Sequence, residues 1–399
     1  MNKNTQCKKL TDICEIITGE WGTEITENSQ NIVSVIRTTN FLNNGKIDIQ
    51  NKELIKREID KKKIEQKQLK RGDIIIEKSG GSPNQPVGRV VFFDLNSNEV
   101  FLCNNFTSIL RVKENINSKY IFYFLRNNYK KNKVVKHQNK TTGIINLKLL
   151  NYLSESCIFL PELNIQNKIV NILDNLENII EKNQNYLTHL GVLTKSLFTT
   201  MFGDPLLNDK KEWNFFKIKD IGKIISGSTP STNILEYWNG EHLWITPAEL
   251  NDNSFVVSST ERKLTYLGVK ASSLIELPIG TVLLSSRAPI GKVAIVGEKM
   301  FCNQGFKNII PNKELNSVYL YYILKEKKEY LNFLGRGVTF KELSKEIVEN
   351  ISIKVPPIEL QNKFAERIEK IEKLKFEIEK SIEIAQNLYD SLISKYFDN

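Results

Sequence analysis

Asp73, Glu77 and Lys78 come closest to a catalytic set in this chain. Carboxylates clustered beside a lysine are what a metal-dependent nuclease needs. A second copy of the same stretch carries Thr281, Ser285 and Ser286 in these places. The set is therefore no shared active site, and Asp73, in a Gly72-Asp73 turn, reads as a strand-entry residue. The three histidines, His137, His189 and His242, have no metal-ligand spacing. No G-x-x-x-x-G-K-[ST] loop and no G-x-S-x-G elbow occurs. Pro356-Pro357 follows Val355 and precedes Ile358, so it lacks the acid or amide and the aromatic that an amino-methyltransferase places around its double proline. No catalytic residue, metal ligand or cofactor site is assigned.

Binding chemistry is better represented. Amide, guanidinium and hydroxyl side chains can read base edges, and lysines and small hydroxyls hold phosphates. They gather in loops. The candidate DNA-contacting residues in the first half are Arg37, Thr38, Asn40, Lys78, Ser79, Gly80, Ser82, Asn84, Gln85, Arg89, Asn104, Asn105, Lys136, Gln138, Asn139, Lys140 and Thr141. In the second half they are Ser228, Thr229, Thr246, Glu249, Ser286, Arg287, Lys292, Asn303, Gln304 and Arg336. Lys130, Lys131, Lys133, Lys136 and Lys140 form a candidate phosphate track.

The elements that must position these loops occur twice. Thr11 to Gly19 matches Lys219 to Gly227, and Leu69 to Ile76 matches Leu277 to Leu284, both 208 residues apart (220 − 12 and 280 − 72). Pro86-Val87-Gly88-Arg89 returns as Pro289-Ile290-Gly291-Lys292, and Asn117-Ser118 as Asn316-Ser317. Pro161-Glu162-Leu163-Asn164-Ile165-Gln166-Asn167-Lys168 returns as Pro356-Pro357-Ile358-Glu359-Leu360-Gln361-Asn362-Lys363, by then 195 residues apart (361 − 166). Fixed order with a shrinking separation marks a duplicated module whose loops differ in length. Each module opens with short β-type runs, such as Ile32–Ile36, Ile74–Ile76, Val87–Phe93 and Phe101–Cys103, between Gly, Pro, Asn and Ser turns. One amphipathic helix follows, near 118–131 in one module and 317–333 in the other. The result is a mixed α+β head followed by a helical arm.

The first arm carries Ile165, Ile169, Ile172, Leu176, Ile179, Asn183, Tyr186, Leu190, Leu193 and Leu197 in unbroken 4-3 steps. That is a coiled-coil seam with one polar position to fix register. From Ile165 to Thr200 it measures about 54 Å as a helix. The second arm reads Leu360, Phe364, Ile368, Ile371, Leu374, Ile378, Ile382, Ala385, Leu388 and Leu392. Gly203 and Pro205 stop the first arm. The expected boundaries are a head at 1–160, an arm at 161–204, a head at 205–355 and an arm at 356–399.

A chain of 399 residues can bury two cores, and 40% hydrophobic content excludes a disordered protein. The net charge of +10 favours an anionic partner, nucleic acid first. Five cysteines, with no C-x-x-C pair, argue against disulfides and zinc and for a reducing cytoplasm. The N-terminus shows no secretory h-region, and no apolar run reaches membrane-spanning length.

Taken together, these phrases resemble the specificity subunit of type I restriction–modification systems along essentially the whole chain. The second head carries the resemblance most fully, through Ser226-Gly227-Ser228-Thr229-Pro230-Ser231, Glu236-Tyr237-Trp238-Asn239-Gly240, Leu243-Trp244-Ile245-Thr246, Pro289-Ile290-Gly291 and Asn303-Gln304-Gly305-Phe306. The first head departs, with Gly19-Glu20-Trp21-Gly22 in place of the Gly-Ser-Thr-Pro phrase. The resemblance implies two target-recognition domains, each reading half of a split double-stranded DNA site, and arms paired as an antiparallel coiled coil. It implies two methyltransferase subunits that carry S-adenosylmethionine and a restriction subunit as partners. Gln166, Asn167, Leu176, Leu190, Leu197, Phe202, Gln361, Asn362, Phe364, Ile371 and Ile382 are then expected to serve spacing and subunit docking. The rival readings are an enzyme acting on DNA itself, a coiled-coil scaffold, and a free-standing DNA-binding regulator.

Overall fold

The computed structural model describes residues 7–82, 85–141, 144–203, 213–335 and 342–398, without the side chains of Lys140 and Thr141. Asn84 and Arg336 lie outside the described residues. The chain divides into two compact units, 1–182 with 382–399, and 183–381.

In the first unit Cys14–Thr18, Thr107–Val112, Ile74–Glu77 and Val90–Phe92 form a four-stranded antiparallel sheet, in that order. Alternate residues of a strand face opposite sides, and here both sides are covered. Ile74, Ile76 and Leu110 enter one core, while Ile75 and Ile109 enter another with Phe41, Phe93 and Phe101. This explains why Ile74-Ile75-Ile76 is apolar at every position. A second sheet places Ile32–Ile36 between Ile55–Glu58 and Phe101–Cys103, the last pairing parallel.

The second unit repeats the plan. Gly222–Ser226, Lys307–Pro311, Val282–Leu284, Val293–Val296 and Val256–Val257 make a five-stranded sheet. Trp238–Ile245 lies between Arg262–Leu264 and Phe301–Cys302, again with the last pairing parallel. The head helices are Ser118–Lys130, and Ser317–Glu326 continued after a break at Lys327 by Lys328–Leu334. Asn117 and Asn316 cap them, their side chains accepting from the backbone N–H groups of Lys119 and Val318.

Both arms are single helices of 40 residues, Leu163–Phe202 and Ile358–Phe397. The first ends where Gly203, at φ +79°, donates its N–H to the Thr199 carbonyl. In the first unit Ile169, Val170, Leu173 and Leu176 share a core with Ala385, Tyr389, Ile393 and Phe397. In the second, Phe198 and Phe202 share one with Phe364, Ala365 and Ile368. Early residues of one arm thus meet late residues of the other, which makes the pair antiparallel.

The expected seam needs correction. Ile169 and Leu176 are buried, but Ile165, Ile172 and Ile179 are each 44% exposed, Tyr186 54% and Leu193 51%. Gln166, Leu173, Ile180, Leu187 and Thr194 take the inner places. Leu374 and Leu388 are likewise outside, with Lys375 and Tyr389 inside. Neighbours such as Ile172-Leu173 and Ile179-Ile180 are both apolar, so along this part of the helix two heptad phases one residue apart fit the sequence. The contact with head and partner helix selects the second phase. Asn183 holds its expected place, its amide donating to Ser381 Oγ at 3.1 Å.

A second correction concerns the cysteines. Cys7–Lys9 pairs with Cys157–Phe159, and this joins Cys7 to Cys157 in a disulfide with Cα atoms 5.7 Å apart. The two residues are 150 positions apart, beyond the reach of any spacing argument. Cys14, Cys103 and Cys302 are buried thiols, and burial pushes the Cys14 thiol up to about 12 and the Cys103 thiol to about 11.

Candidate nucleic-acid interface

The nearest thing to a catalytic cluster is used for structure. Asp73 accepts from Arg111 Nε at 3.0 Å and Nη2 at 2.8 Å, and from the Lys70 N–H. Glu77, 2% exposed, accepts from Arg89 Nε at 3.0 Å and Nη2 at 3.1 Å. Each carboxylate is neutralised by its own arginine, which leaves neither available to a metal. Among the described residues no group of His, Cys, Asp and Glu gathers to hold one.

Several expected DNA contacts turn inward. Besides Glu77, Arg89 donates to the Thr38 carbonyl at 3.3 Å and lies over the Phe41 ring. Lys292, its counterpart in the repeat, donates to the Pro247 and Leu250 carbonyls. Both cations therefore support the same device, a short 3-10 turn at Thr38–Asn40 or Pro247–Glu249. Asn40 is fully buried, accepting from the Arg37 N–H and donating to the Asp48 carbonyl. Glu249 accepts from the Thr246 N–H and hydroxyl and from the Glu261 N–H. Asn104 is buried beside Thr107, and its carbonyl leaves no room for a Cβ at Gly19. Ser286 is fully buried near Lys307. These side chains shape the loops. Loop composition cannot separate a base-reading amide from one that braces a turn, because both use the same donors and acceptors.

Other expected residues come together at the surface. Asn146 pairs with Ser79, and Ile145 with Gly80, so Ser79–Gly80 lies beside the hairpin Gln138–Thr141 and Ile144–Leu147. Ser79 Oγ bonds Asn146 Oδ1 at 2.6 Å, and Gln138 donates to the Val87 carbonyl. Ser82, Gln85, Asn105, Lys136 and Asn139 are exposed. Lys78 is half-buried at the root of this platform, and burial lowers its ammonium below the ordinary lysine value. In the second head the Thr229 hydroxyl bonds the exposed Gln304 amide. Ser228 is held by Trp244, whose indole N–H donates to its carbonyl at 3.1 Å. Asn303 Oδ1 accepts from the Gly305 N–H, and exposed Arg287 pairs with Glu342 at 3.1 Å. The loop reading missed Phe106, 46% exposed beside Asn105, and Asn146, whose signal was its place on an amide-rich hairpin.

The repeated Gln-Asn phrase also turns inward. Gln166 Oε1 accepts from the Asn117 N–H at 2.9 Å, and its amide donates to the Pro161 carbonyl. Gln361 does the same with Asn316 at 2.8 Å and Pro356 at 2.7 Å. Asn117 donates to Asn167 and Asn316 to Asn362. The phrase latches the cap of each head helix to the start of an arm. Gln166 is 2% exposed and Gln361 is fully buried, so both side chains are spent within the fold.

A family model described as the type I restriction modification DNA specificity domain matches residues 2–189 and 210–386. The chain belongs to this family. A putative type I restriction enzyme MjaX specificity subunit from Methanocaldococcus jannaschii is 25% identical over 92% of this chain and 87% of that protein. The MjaIX specificity subunit from the same organism is 43% identical over 47% of this chain and 44% of its own length. The crystal structure of a type I restriction-modification S subunit from M. genitalium covers all of this chain and 97% of its own, with a TM-score of 0.66 and 15% identity. At that identity the likeness is one of fold. Two specificity-family modules and two long helices account for the internal repeat. No helix among the described residues is long and apolar enough to cross a membrane.

Proposed function

We propose that this chain is the DNA-sequence-reading, non-catalytic subunit of a type I restriction–modification complex in the cytoplasm. Each head reads one half of a two-part site in double-stranded DNA. The arms fix the distance between the halves and dock two methyltransferase subunits, which carry S-adenosylmethionine, and a restriction subunit joins them. The observation that carries this reading is the duplicated head, whose strand framework is kept while its exposed polar loops differ. Asn105 stands where Gln304 stands in the second head, and Ser82, Gln85 and Asn139 are exposed in the first head as Arg287 is in the second. Two related folds with different surface donors and acceptors suit two different base sequences. The exposed side chains Ile165, Ile172 and Ile179 recur every seventh residue on the outer face of the first arm. Tyr186 and Leu193 continue the spacing on the same helix. Such a stripe is suited to an amphipathic helix of the methyltransferase partner.

The test is methylome sequencing of a host that expresses the partner methyltransferase with and without this chain. A two-part methylated motif that appears only with the chain is expected. Modification by the purified chain alone, or none with the partner, would sink the reading.

A further inference from the structure

Among the described residues, the first head is seated on the arms by charge in a way the second is not. Tyr123, on the first head helix, donates its hydroxyl to Asp174 Oδ1 at 2.5 Å and lies 3.2 Å from Glu177 Oε2. One turn on, Arg126 pairs with Glu177, with side chains 12% and 26% exposed. Lys119 pairs with Asp174 at 2.9 Å. Every one of these contacts runs from head to arm within one unit, and the guanidinium and both carboxylates are shielded from bulk water. In the second unit the matching carboxylate, Glu372, meets Tyr322 at 3.2 Å and Lys375 of its own helix. Lys325 stands at the place of Arg126 and donates to the Tyr321 hydroxyl. Both seats also carry ring contacts, Tyr120 and Phe124 lying 4.9 and 6.4 Å from Phe397 in the first, and Phe198 and Phe202 of the first arm 4.7 to 6.4 Å from Tyr319 and Tyr322 in the second, so the shielded arginine–carboxylate pair is what the first seat adds.

Resting on the function proposed above, we propose that Arg126 and Glu177 are positioning residues that set how strictly the first head enforces half-site spacing. One base pair added between half-sites moves the second by about 3.4 Å and turns it by about 35°. A reader tolerates that change only if its seat rocks. A charge-assisted pair is short and directional, so it resists rocking. Ring packing, which the two seats share, imposes weaker angular limits. The first head is then the strict half of the pair, and its strictness depends on charge.

The assay uses the full chain with its methyltransferase partner and a DNA library in which the spacer is one base pair short, preferred or one long. Glu177→Gln is expected to raise relative methylation of off-length sites by about tenfold, the loss of one charge-assisted bond. The second-unit control Glu372→Gln should leave the ratio unchanged. The exchange Arg126→Glu with Glu177→Arg should restore it, which a role in stability alone would not require. Arg126→Lys keeps the test open if Glu177→Gln fails to fold, because it keeps the charge and loses the planar, directional guanidinium. Length discrimination that stays intact while the melting temperature falls would overturn the proposal. Failure of the wild-type complex to modify any two-part site is a different result, and it would remove the underlying function as well.

Discussion

Arg89 and Lys292 occupy one place in the two repeats and do one job, holding a carbonyl of the 3-10 turn that follows a central strand. Neither the charge nor the position of Arg89 marks a phosphate ligand, because its guanidinium answers Glu77. Arg89→Met leaves a carboxylate that is 2% exposed without its partner. That should cost about 3 kcal/mol in urea unfolding. The salt dependence of DNA binding by the folded fraction should keep its slope, where loss of a phosphate contact would lower it by about one. Asp398 offers a pH test. Burial pushes its carboxyl up, but hydrogen bonds from Lys131, Ser394 and Asn127 outweigh this and hold it at about 2. A depressed carboxyl stabilises the fold above the ordinary aspartate range, and that contribution is lost as the pH falls toward 2. The stability gap between wild type and Asp398→Asn should be full at pH 6 and close as acid titrates toward pH 2, measured by chemical unfolding across that range.

At the scale of elements the two arms carry two kinds of apolar face. The inner face is used within each unit, and the outer stripe of the first arm is not. Ile179→Glu therefore places a charge on a side chain 44% exposed and should change stability by no more than about 0.5 kcal/mol. It should nevertheless abolish co-purification of the methyltransferase partner in a pull-down. Gln361→Ala is the opposite case. It strands the Asn316 N–H and the Pro356 carbonyl in a buried latch and should cost about 2 kcal/mol in unfolding free energy. These elements also show what the sequence can tell. Short β-type runs located the strands Ile32–Ile36 and Phe101–Cys103, and repeated phrases and periodicity located both head helices and both arms, because local patterns and duplication are encoded in order along the chain. The seam was legible only to within one residue, since Ile172-Leu173 and Ile179-Ile180 satisfy two phases. That Asn40, Ser286 and Gln361 are buried and that Glu249 braces a turn was not legible for another reason. A polar side chain's type does not say whether its partner is a backbone group or a ligand.

For the whole molecule, duplication predicts separable halves. Exposed Gln304 and Arg287 belong to the second head alone. Replacing both with alanine should relax one half of the methylated motif, leave the other intact and be visible in methylome sequencing. The division of the chain has another consequence. The second unit is one continuous stretch, 183–381, whereas the first needs residues 382–397 to cover Ile169, Leu173 and Leu176. Translation at about 5–20 residues per second puts roughly 10–40 s between the two parts of the first unit. Pulse proteolysis of ribosome-bound chains stalled near residue 381 should find the first arm's early half still open to cleavage. Protection there at that length would contradict this order. The head that leaves the ribosome first is then the last to close, and for that interval its uncovered helix face is the nascent chain's main call on a chaperone.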